Sequence, residues 1–569
     1  MRASSLRVAI WLLVGGLAAI DAALVRAQVP LSGAPSAPPG SASPATPSTR
    51  QPATPSTPRP AAVPVRPGGV AKLLVRRFEL TGNTRWSTDE LRREVLSAFE
   101  GRELTAEDLE TARRELTQWY VRHGYVNSGA RIPDQPVSGG VVTIAIVEGR
   151  LTRVDVSGTH HLNERYLTER LLSAAGTPLH VGALADRLRQ LQERPIIDRL
   201  RANLAPGNAP GESVLAVDVQ EAPLWQGGLT IANNRSPSIG PIRAQLFASA
   251  RSLTGRSDPL LLRLGLARRL DDIGADYSLP LTVNDLTLNL RADSSDSLVV
   301  EAPFSELDIR SRTRIWSIGL SRPFASTPDH GHSLGIALER KRNQTWLLGE
   351  PFSFSPGVEN GRSAVSALRL FHEMFRRSAA QALAVRTGIN VGIDAFGATT
   401  GAGRPDGRFV SMQGQLQWLR RFEDTAGQLY FRSDFQWASD TLLPLEKIAV
   451  GGANTVRGYR ESALVRDQAL ILSLEWRQSI DRWLRRSPDS SAIGEFQIAP
   501  FIDYAVTGNR GTPTPSPRSL GSAGVVARWS LPSRAFAEIA YGHGFRRLSP
   551  RGDDLQDKGI HFRVTVQTR

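Results

Sequence analysis

Ala469-Leu470-Ile471-Leu472-Ser473-Leu474-Glu475-Trp476-Arg477-Gln478 is the stretch that decides the fold. Leu470, Leu472, Leu474 and Trp476 alternate with Ser473, Glu475 and Arg477, so a strand here has one very apolar face and one polar face. The pattern recurs upstream. Val410, Met412, Leu416 and Trp418 alternate with Ser411, Gln413, Gln415 and Gln417, and Leu429, Phe431, Phe435 and Trp437 with Arg432, Asp434 and Gln436. From Leu224 onward sixteen candidate strands follow: 225–234, 241–251, 258–269, 272–281, 285–293, 312–323, 331–341, 362–374, 381–393, 408–421, 427–438, 467–478, 493–505, 519–530, 535–545 and 559–568. Each is about ten residues long, which suits a tilted strand crossing the hydrocarbon layer. The strand number is even and the connections alternate between long and mostly short. A soluble sandwich accounts for these features less well. The expectation for 223–569 is a transmembrane β-barrel of about 16 antiparallel strands, wide enough for an aqueous lumen.

Upstream the texture is different. Residues 71–149 read as a compact α+β module. Leu73 to Leu80 is a strand closed by Thr81-Gly82-Asn83. Ser87-Thr88-Asp89-Glu90 opens a helix with Leu91, Val95, Leu96 and Phe99 on one face. Thr105 to Asp108 opens a second, with Leu109, Ala112, Leu116 and Trp119 inward, and Gly124 ends it. Tyr125–Ile132 and Val141–Val147 are strands, giving the order β-α-α-β-β. Residues 150–222 repeat the plan: Val154-Asp155-Val156-Ser157-Gly158 echoes Phe78-Glu79-Leu80-Thr81-Gly82, and two helices and the strand Val214–Val219 follow. A single repeat of this size means tandem domains.

Residues 28–70 contain 12 prolines among Ala, Ser and Thr, an extended linker with no apolar face. Residues 1–27 read as a secretory signal peptide: Arg2 and Arg7, the apolar run Val8–Ala19, then Val25-Arg26-Ala27 before Gln28. The 569-residue chain has no cysteine, so stability must come from packing and sheet closure. Its formal charge of +14 is spread through alternating strands and loops rather than gathered in a basic run. That fits a pore lining or anionic lipid headgroups better than nucleic acid. Gly521-Ser522-Ala523-Gly524 is not a nucleophile elbow, no Walker-type glycine loop is present, and the histidines have no metal-ligand spacing. No enzyme activity, cofactor or metal is expected.

The longest barrel connection, about 28 residues, joins the eleventh and twelfth strands on the extracellular side and calls for a function. It contains Gly451-Gly452-Ala453-Asn454-Thr455-Val456-Arg457-Gly458-Tyr459-Arg460-Glu461. Three glycines make the backbone permissive, and Arg457 is the one long cation between small residues. Such a loop can fold into the cavity. Pro500-Phe501-Ile502-Asp503-Tyr504-Ala505 supplies a partner: Glu495, Gln497, Phe501 and Asp503 share the lumen parity, while Phe496, Ile498, Ile502 and Tyr504 face lipid. Asp503 can meet Arg457 through charge-assisted hydrogen bonds. Glu475 is a rival partner.

Val456-Arg457-Gly458-Tyr459 resembles the signature loop of the POTRA-plus-sixteen-strand-barrel superfamily of outer-membrane assembly and secretion proteins, and Phe501-x-Asp503 its barrel-wall motif. Tyr125 to Ile132-Pro133-Asp134-Gln135, Ile144-Ala145-Ile146-Val147-Glu148-Gly149 and Asn233-Asn234 are similar to the two-partner secretion transporters (TpsB). The resemblance covers about 72–569. It implies POTRA domains at 71–149 and 150–222, periplasmic, before a barrel in the bacterial outer membrane. It implies an Arg457–Asp503 lock formed by Val456, Arg457, Gly458, Tyr459, Phe501 and Asp503. It further implies nucleotide-free export of a cognate large exoprotein, haemolysin- or adhesin-like, whose unfolded chain the POTRA domains bind. The alternative is an insertase that assembles other barrels; two POTRA domains favour secretion. The implied partners are the exoprotein, outer-membrane lipid and, during biogenesis, the barrel-assembly machinery, with a monomeric transporter. Ala505 stands where the family usually has glycine, Arg569 replaces a terminal aromatic, and residues 28–70 hold too much proline for the helix that plugs some relatives.

Overall fold

The computed structural model describes residues 72–267, 270–401, 405–425, 427–480, 494–531, 534–549 and 552–568. The expected signal peptide (1–27), the linker (28–70) and Arg569 lie outside the described residues. Packing divides the chain into two units. One runs to Val154 and takes in 175–184 and 204–215; the other comprises 155–174, 185–203 and 216 onward.

In the first module, Arg77–Thr81 pairs in parallel with Val141–Val147, which pairs antiparallel with Gly129–Arg131. The helix Ala106–Arg122 covers this sheet. Its N-cap Thr105 and Asp108 form a reciprocal capping box, and Gly124 (φ +86°) ends it. Phe78, Leu91, Leu96, Leu116, Tyr120 and Ile144 are fully buried between helix and sheet.

Two details differ from the expected β-α-α-β-β order. The strand expected over 73–80 breaks at Arg76, whose N–H turns to the Gly140 carbonyl at 2.7 Å. Its first half, Leu73–Val75, pairs with an unforeseen short strand, Arg102–Leu104. The strand expected from Tyr125 shrinks to Gly129–Arg131, because Tyr125 turns inward, 5.4 Å from Trp86 and hydrogen-bonded to Arg85.

Residues 150–222 contain the strand Arg150–Ser157, the helices Glu164–Ala175 and Val181–Gln192, and the strands Ile197–Pro206 and Glu212–Glu221. Sequence reasoning missed Ile197–Pro206. Asp198, Arg199 and Arg201 hide it, as charge often does on an edge strand. The repeat is built on matching devices. Gly82 (φ +80°) has no room for a Cβ, which would lie 2.3 Å from the Ile146 carbonyl; Gly158 (φ +78°) meets the Val219 carbonyl in the same way at 2.2 Å. Glu148 then accepts the N–H groups of Thr84 (2.8 Å) and Arg85 (2.9 Å), and Glu221 those of His161 (2.9 Å) and Leu162 (2.8 Å).

From Trp225–Ala232 to Ile560–Gln567, sixteen strands close into an antiparallel barrel. A two-residue strand, Glu350–Pro351, is appended to one hairpin. Each expected strand corresponds to one barrel strand. The largest difference is 331–341, which runs from His330 to Leu347. Over Arg342-Asn343-Gln344-Thr345, beyond the lipid, both faces are polar, and alternation no longer marks the end. The barrel closes through five residue pairs, from Arg563↔Ala232 to Gln567↔Gly228. The seam is reinforced by the Asn233 side chain, which donates to Ile560 O (2.8 Å) and accepts from Phe562 N (2.7 Å).

The faces follow the expected parity. Ile498, Ile502, Tyr504 and Val506 are exposed on the outside, whereas Gln497, Phe501 and Asp503 are buried on the inside. An outward apolar face is what lipid requires. No described helix is long and apolar enough to cross a membrane.

Candidate functional site

The connection from Ala438 to Gln468 folds into the barrel. It carries the Pro444–Glu446 turn and a small hairpin of Ile448–Val450 with Leu464–Arg466, and between these hairpin strands lies the glycine-rich tip. Val450, Val456, Tyr459 and Leu464 pack against Ala469, Ile471, Ala505 and Leu520 of the wall. Ala505 is fully buried there.

Arg457 is the centre of the tip. Its Nε and Nη2 grip Asp503 in a fork at 2.8 and 2.7 Å, and its backbone N–H donates to the same carboxylate at 3.0 Å. Nη1 donates to Glu475 at 2.5 Å and Nη2 to the Ser473 hydroxyl at 3.0 Å. The guanidinium lies 3.6 Å from the centre of the Phe501 ring, a cation–π contact in a buried site. Ser473 opposes Asp503 and Glu475 opposes Phe501 across adjacent strands, so the pleat alone brings all four to one face. Asp503 is fully buried.

The network continues along the wall. Glu475 also accepts from Arg477 (2.9 Å) and Arg528 (3.2 Å), and Arg528 donates to Glu538 at 2.6 Å. Glu475 is therefore a second partner of Arg457 rather than a rival to Asp503, and it links the loop to a chain of buried wall charges. Arg528 and Glu538 are not among the residues singled out from the sequence. Both have the inward parity of their strands, but nothing local distinguishes them from other lumen charges.

The loop backbone comes very close to the wall. A Cβ on Gly458 (φ +88°) would lie 2.6 Å from the Gly542 carbonyl oxygen, and one on Gly542 would lie 2.7 Å from the Gly458 nitrogen. Both positions require glycine. Tyr459 donates to the Gly521 carbonyl (3.0 Å) and accepts from the Arg546 N–H (3.0 Å). Arg460 forks onto Asp557 at 2.5 and 2.7 Å and reaches Glu301 at 2.8 Å, tying the tip to two other extracellular loops. Glu461 accepts the Ala453 N–H at 2.7 Å, and burial pushes its carboxyl up to about 7.

A second attachment, not foreseen, lies at the root. Glu446 is buried and accepts both Arg369 Nη2 bonds, at 2.9 and 3.0 Å. Lys341 stands 3.2 Å away, and Arg369 also donates to Glu339 at 2.8 Å. Arg369 and Lys341 project from Arg362–Arg377 and His330–Leu347, an arc of wall separate from that holding Arg457.

A closed sixteen-strand barrel with a lipid-compatible exterior, a POTRA domain before it and a charged loop folded into its lumen defines an outer-membrane protein of the POTRA-barrel class. Residues 211–525 match the haemolysin secretion/activation protein family ShlB/FhaC/HecB, and residues 73–149 match the ShlB-type POTRA domain. The chain belongs to that family, and its POTRA domain lies on the periplasmic side. The outer membrane transporter CdiB of Dickeya dadantii (strain 3937) is 21% identical over 376 residues, 62% of this chain and 63% of that protein. The hemolysin transporter protein ShlB of Serratia marcescens is 28% identical over 197 residues, 35% of this chain and 34% of that protein. The match thus spans less than two thirds of each of these relatives. The solved structure of CdiB from Escherichia coli has the same fold, with a TM-score of 0.66 at 19% identity over 89% of this chain and 93% of that one.

Proposed function

We propose that the chain exports a large cognate exoprotein from the periplasm to the cell surface through the barrel lumen, with the loop 439–467 as its gate. The observation that carries this reading is the buried grip of Arg457 on Asp503 and Glu475, inside a lumen otherwise wide enough for an extended chain. Val456, Gly458, Tyr459 and Phe501 complete the lock by packing, close backbone approach and ring contact.

The domains are the POTRA module at 71–149, a second at 150–222 and the barrel at 223–569, after a signal peptide at 1–27 and a linker at 28–70. Support for the second POTRA domain comes from the Gly158–Val219 and Glu221 devices, which repeat Gly82–Ile146 and Glu148. The unfolded cargo binds these domains by strand addition at a sheet edge and threads past the displaced loop. Folding outside biases the direction. The transporter works as a monomer in lipid and is inserted by the barrel-assembly machinery.

The test is secretion of the cognate exoprotein in a heterologous outer membrane, comparing wild type with Arg457→Ala and Asp503→Ala at matched levels of folded barrel. Wild type secreting while both inserted variants fail supports gated export. Equal secretion by all three removes the gate. Export by none, with other barrels assembling better in the protein's presence, replaces the reading with an insertase.

A further inference from the structure

Six arginines stand together on the outward face of three adjacent strands, at the extracellular end of the barrel. Arg310, Arg312 and Arg314 lie on Arg310–Ser326, Arg340 and Arg342 on His330–Leu347, and Arg362 on Arg362–Arg377. Their direction follows from the pleat. Trp316, Ile318 and Leu320 are 59, 52 and 40% exposed to the lipid side, and Arg314 and Arg312 continue that alternation. Across the ladder, Arg342 opposes Arg314 and Arg340 opposes Trp316, while Gln344 opposes both Arg312 and Arg362. The arginines begin one outward position beyond the apolar band, which places them at the outer-leaflet interface.

Internal acids do not balance them. Asp308 holds Arg310 at 3.0 Å and Asp296 holds Arg312 at 2.6 Å. Among the described residues, Arg314, Arg340 and Arg342 have no ion-pair partner, and Arg340 Nε is buried without a hydrogen bond. Arg314 directly opposite Arg342 is a like-charge pair, which destabilises a ladder unless an anion bridges it. Export does not explain the group, because it faces away from the lumen.

We propose that this face binds the phosphates of the phosphorylated glycolipid of the outer leaflet (the lipid A part of lipopolysaccharide), with Arg314, Arg340 and Arg342 as the phosphate-binding residues. Planar guanidinium forks suit phosphate oxygens, and the adjacent Trp316 and the aliphatic band suit the acyl chains. The position at the extracellular end selects this lipid over the phospholipids of the inner leaflet.

The test uses the full-length transporter purified in detergent, titrated with bisphosphorylated lipid A and followed by native mass spectrometry. The triple variant Arg314→Gln/Arg340→Gln/Arg342→Gln is expected to lose affinity on the order of a hundredfold. Removing both phosphates from the lipid is expected to weaken wild-type binding equally, whereas Arg322→Gln, at the periplasmic end of the same strand, leaves it unchanged. Heat-modifiable gel migration shows that each variant is folded. If the triple variant does not fold, Arg342→Gln alone, at an exposed position, is expected to lose about fivefold. Equal retention of lipid A by the folded variants, equal binding of the dephosphorylated lipid, or displacement by equimolar phosphatidylglycerol overturns the proposal.

Discussion

The tip and the root of the loop 439–467 are both held by buried charge, with the signs reversed. At the tip a loop arginine, Arg457, meets two wall carboxylates: Asp503, which it holds through three hydrogen bonds, and Glu475, which Arg477 and Arg528 also hold. At the root a loop carboxylate, Glu446, meets two wall cations, and Arg369 keeps Glu339 as a second partner. The tip is additionally fixed by backbone proximity at Gly458 and by the buried Tyr459, whereas the root adds to its ion pairs the side-chain packing of Leu442 and Leu443 against Val365, Ala367 and Phe409. The difference suggests a division of labour: the tip decides whether the loop is inside, and the root only sets where it hinges.

The largest test of that contrast is Arg457→Ala. It leaves the buried Asp503 without the cation that holds it, while Glu475 keeps Arg477 and Arg528, and breaking a buried pair from one side costs about 3–5 kcal/mol. The expected outcome is a folded barrel whose single-channel conductance in planar bilayers is raised and noisy. A reciprocal exchange, Arg457→Asp with Asp503→Arg, is expected not to restore the quiet state, because the new aspartate would face Glu475. Restoration would mean that Asp503 alone forms the lock. Next in size is Gly458→Ala. A side chain at φ +88° and 2.6 Å from the Gly542 carbonyl is expected to cost the closed loop about 2–3 kcal/mol with every ion pair intact. Conductance matching wild type would remove backbone proximity as a cause.

Lipid makes most of this barrel legible in the sequence. An apolar exterior and a polar lumen impose a period of two on every strand, and that signal located all sixteen. It fails where the constraint ends, as at His330–Leu347 beyond the membrane or at the charged edge strand Ile197–Pro206. At the tip, Arg457 among glycines and the lumen parity of Asp503 marked a candidate pair with Glu475 as a rival, and the resemblance to the signature loop and wall motif singled out Asp503. The root was not legible: Glu446 and Arg369 are 77 residues apart, and Leu-Pro-Leu-Glu-Lys reads as an ordinary turn. Arg528 and Glu538 were missed for the same reason. Their significance lies in pairing across strands, which parity suggests only in part.

Glu461 lies beside the tip and makes it sensitive to pH. Burial raises its carboxyl from the ordinary 4.5 to about 7; Arg235 and the Ala453 N–H oppose the shift, and the Gln556 side chain accepts the Glu461 backbone N–H. A carboxyl that binds its proton more tightly in the closed loop than in the open one favours closure at low pH. That advantage is lost as pH rises from about 4.5 through about 7. Closure is therefore expected to weaken between pH 5 and pH 8 by at most about 2 kcal/mol, given the residue's partial exposure. Glu461→Gln should flatten the conductance profile across that window, and an unchanged profile would assign the pH response elsewhere.

The smallest expected effect comes from the root, and it bears most directly on whether the loop moves as one body. Glu446→Gln keeps the shape and one acceptor but removes the charge, while Glu339 still serves Arg369 and lies 3.5 Å from Lys341. The expected cost is about 1 kcal/mol, because most of the wall charge remains compensated. Hydrogen exchange should then quicken at 443–450 and stay slow at 456–459, with conductance near wild type. If exchange at the tip quickens equally, root and tip open together, and the contrast between them is one of chemistry but not of mechanics.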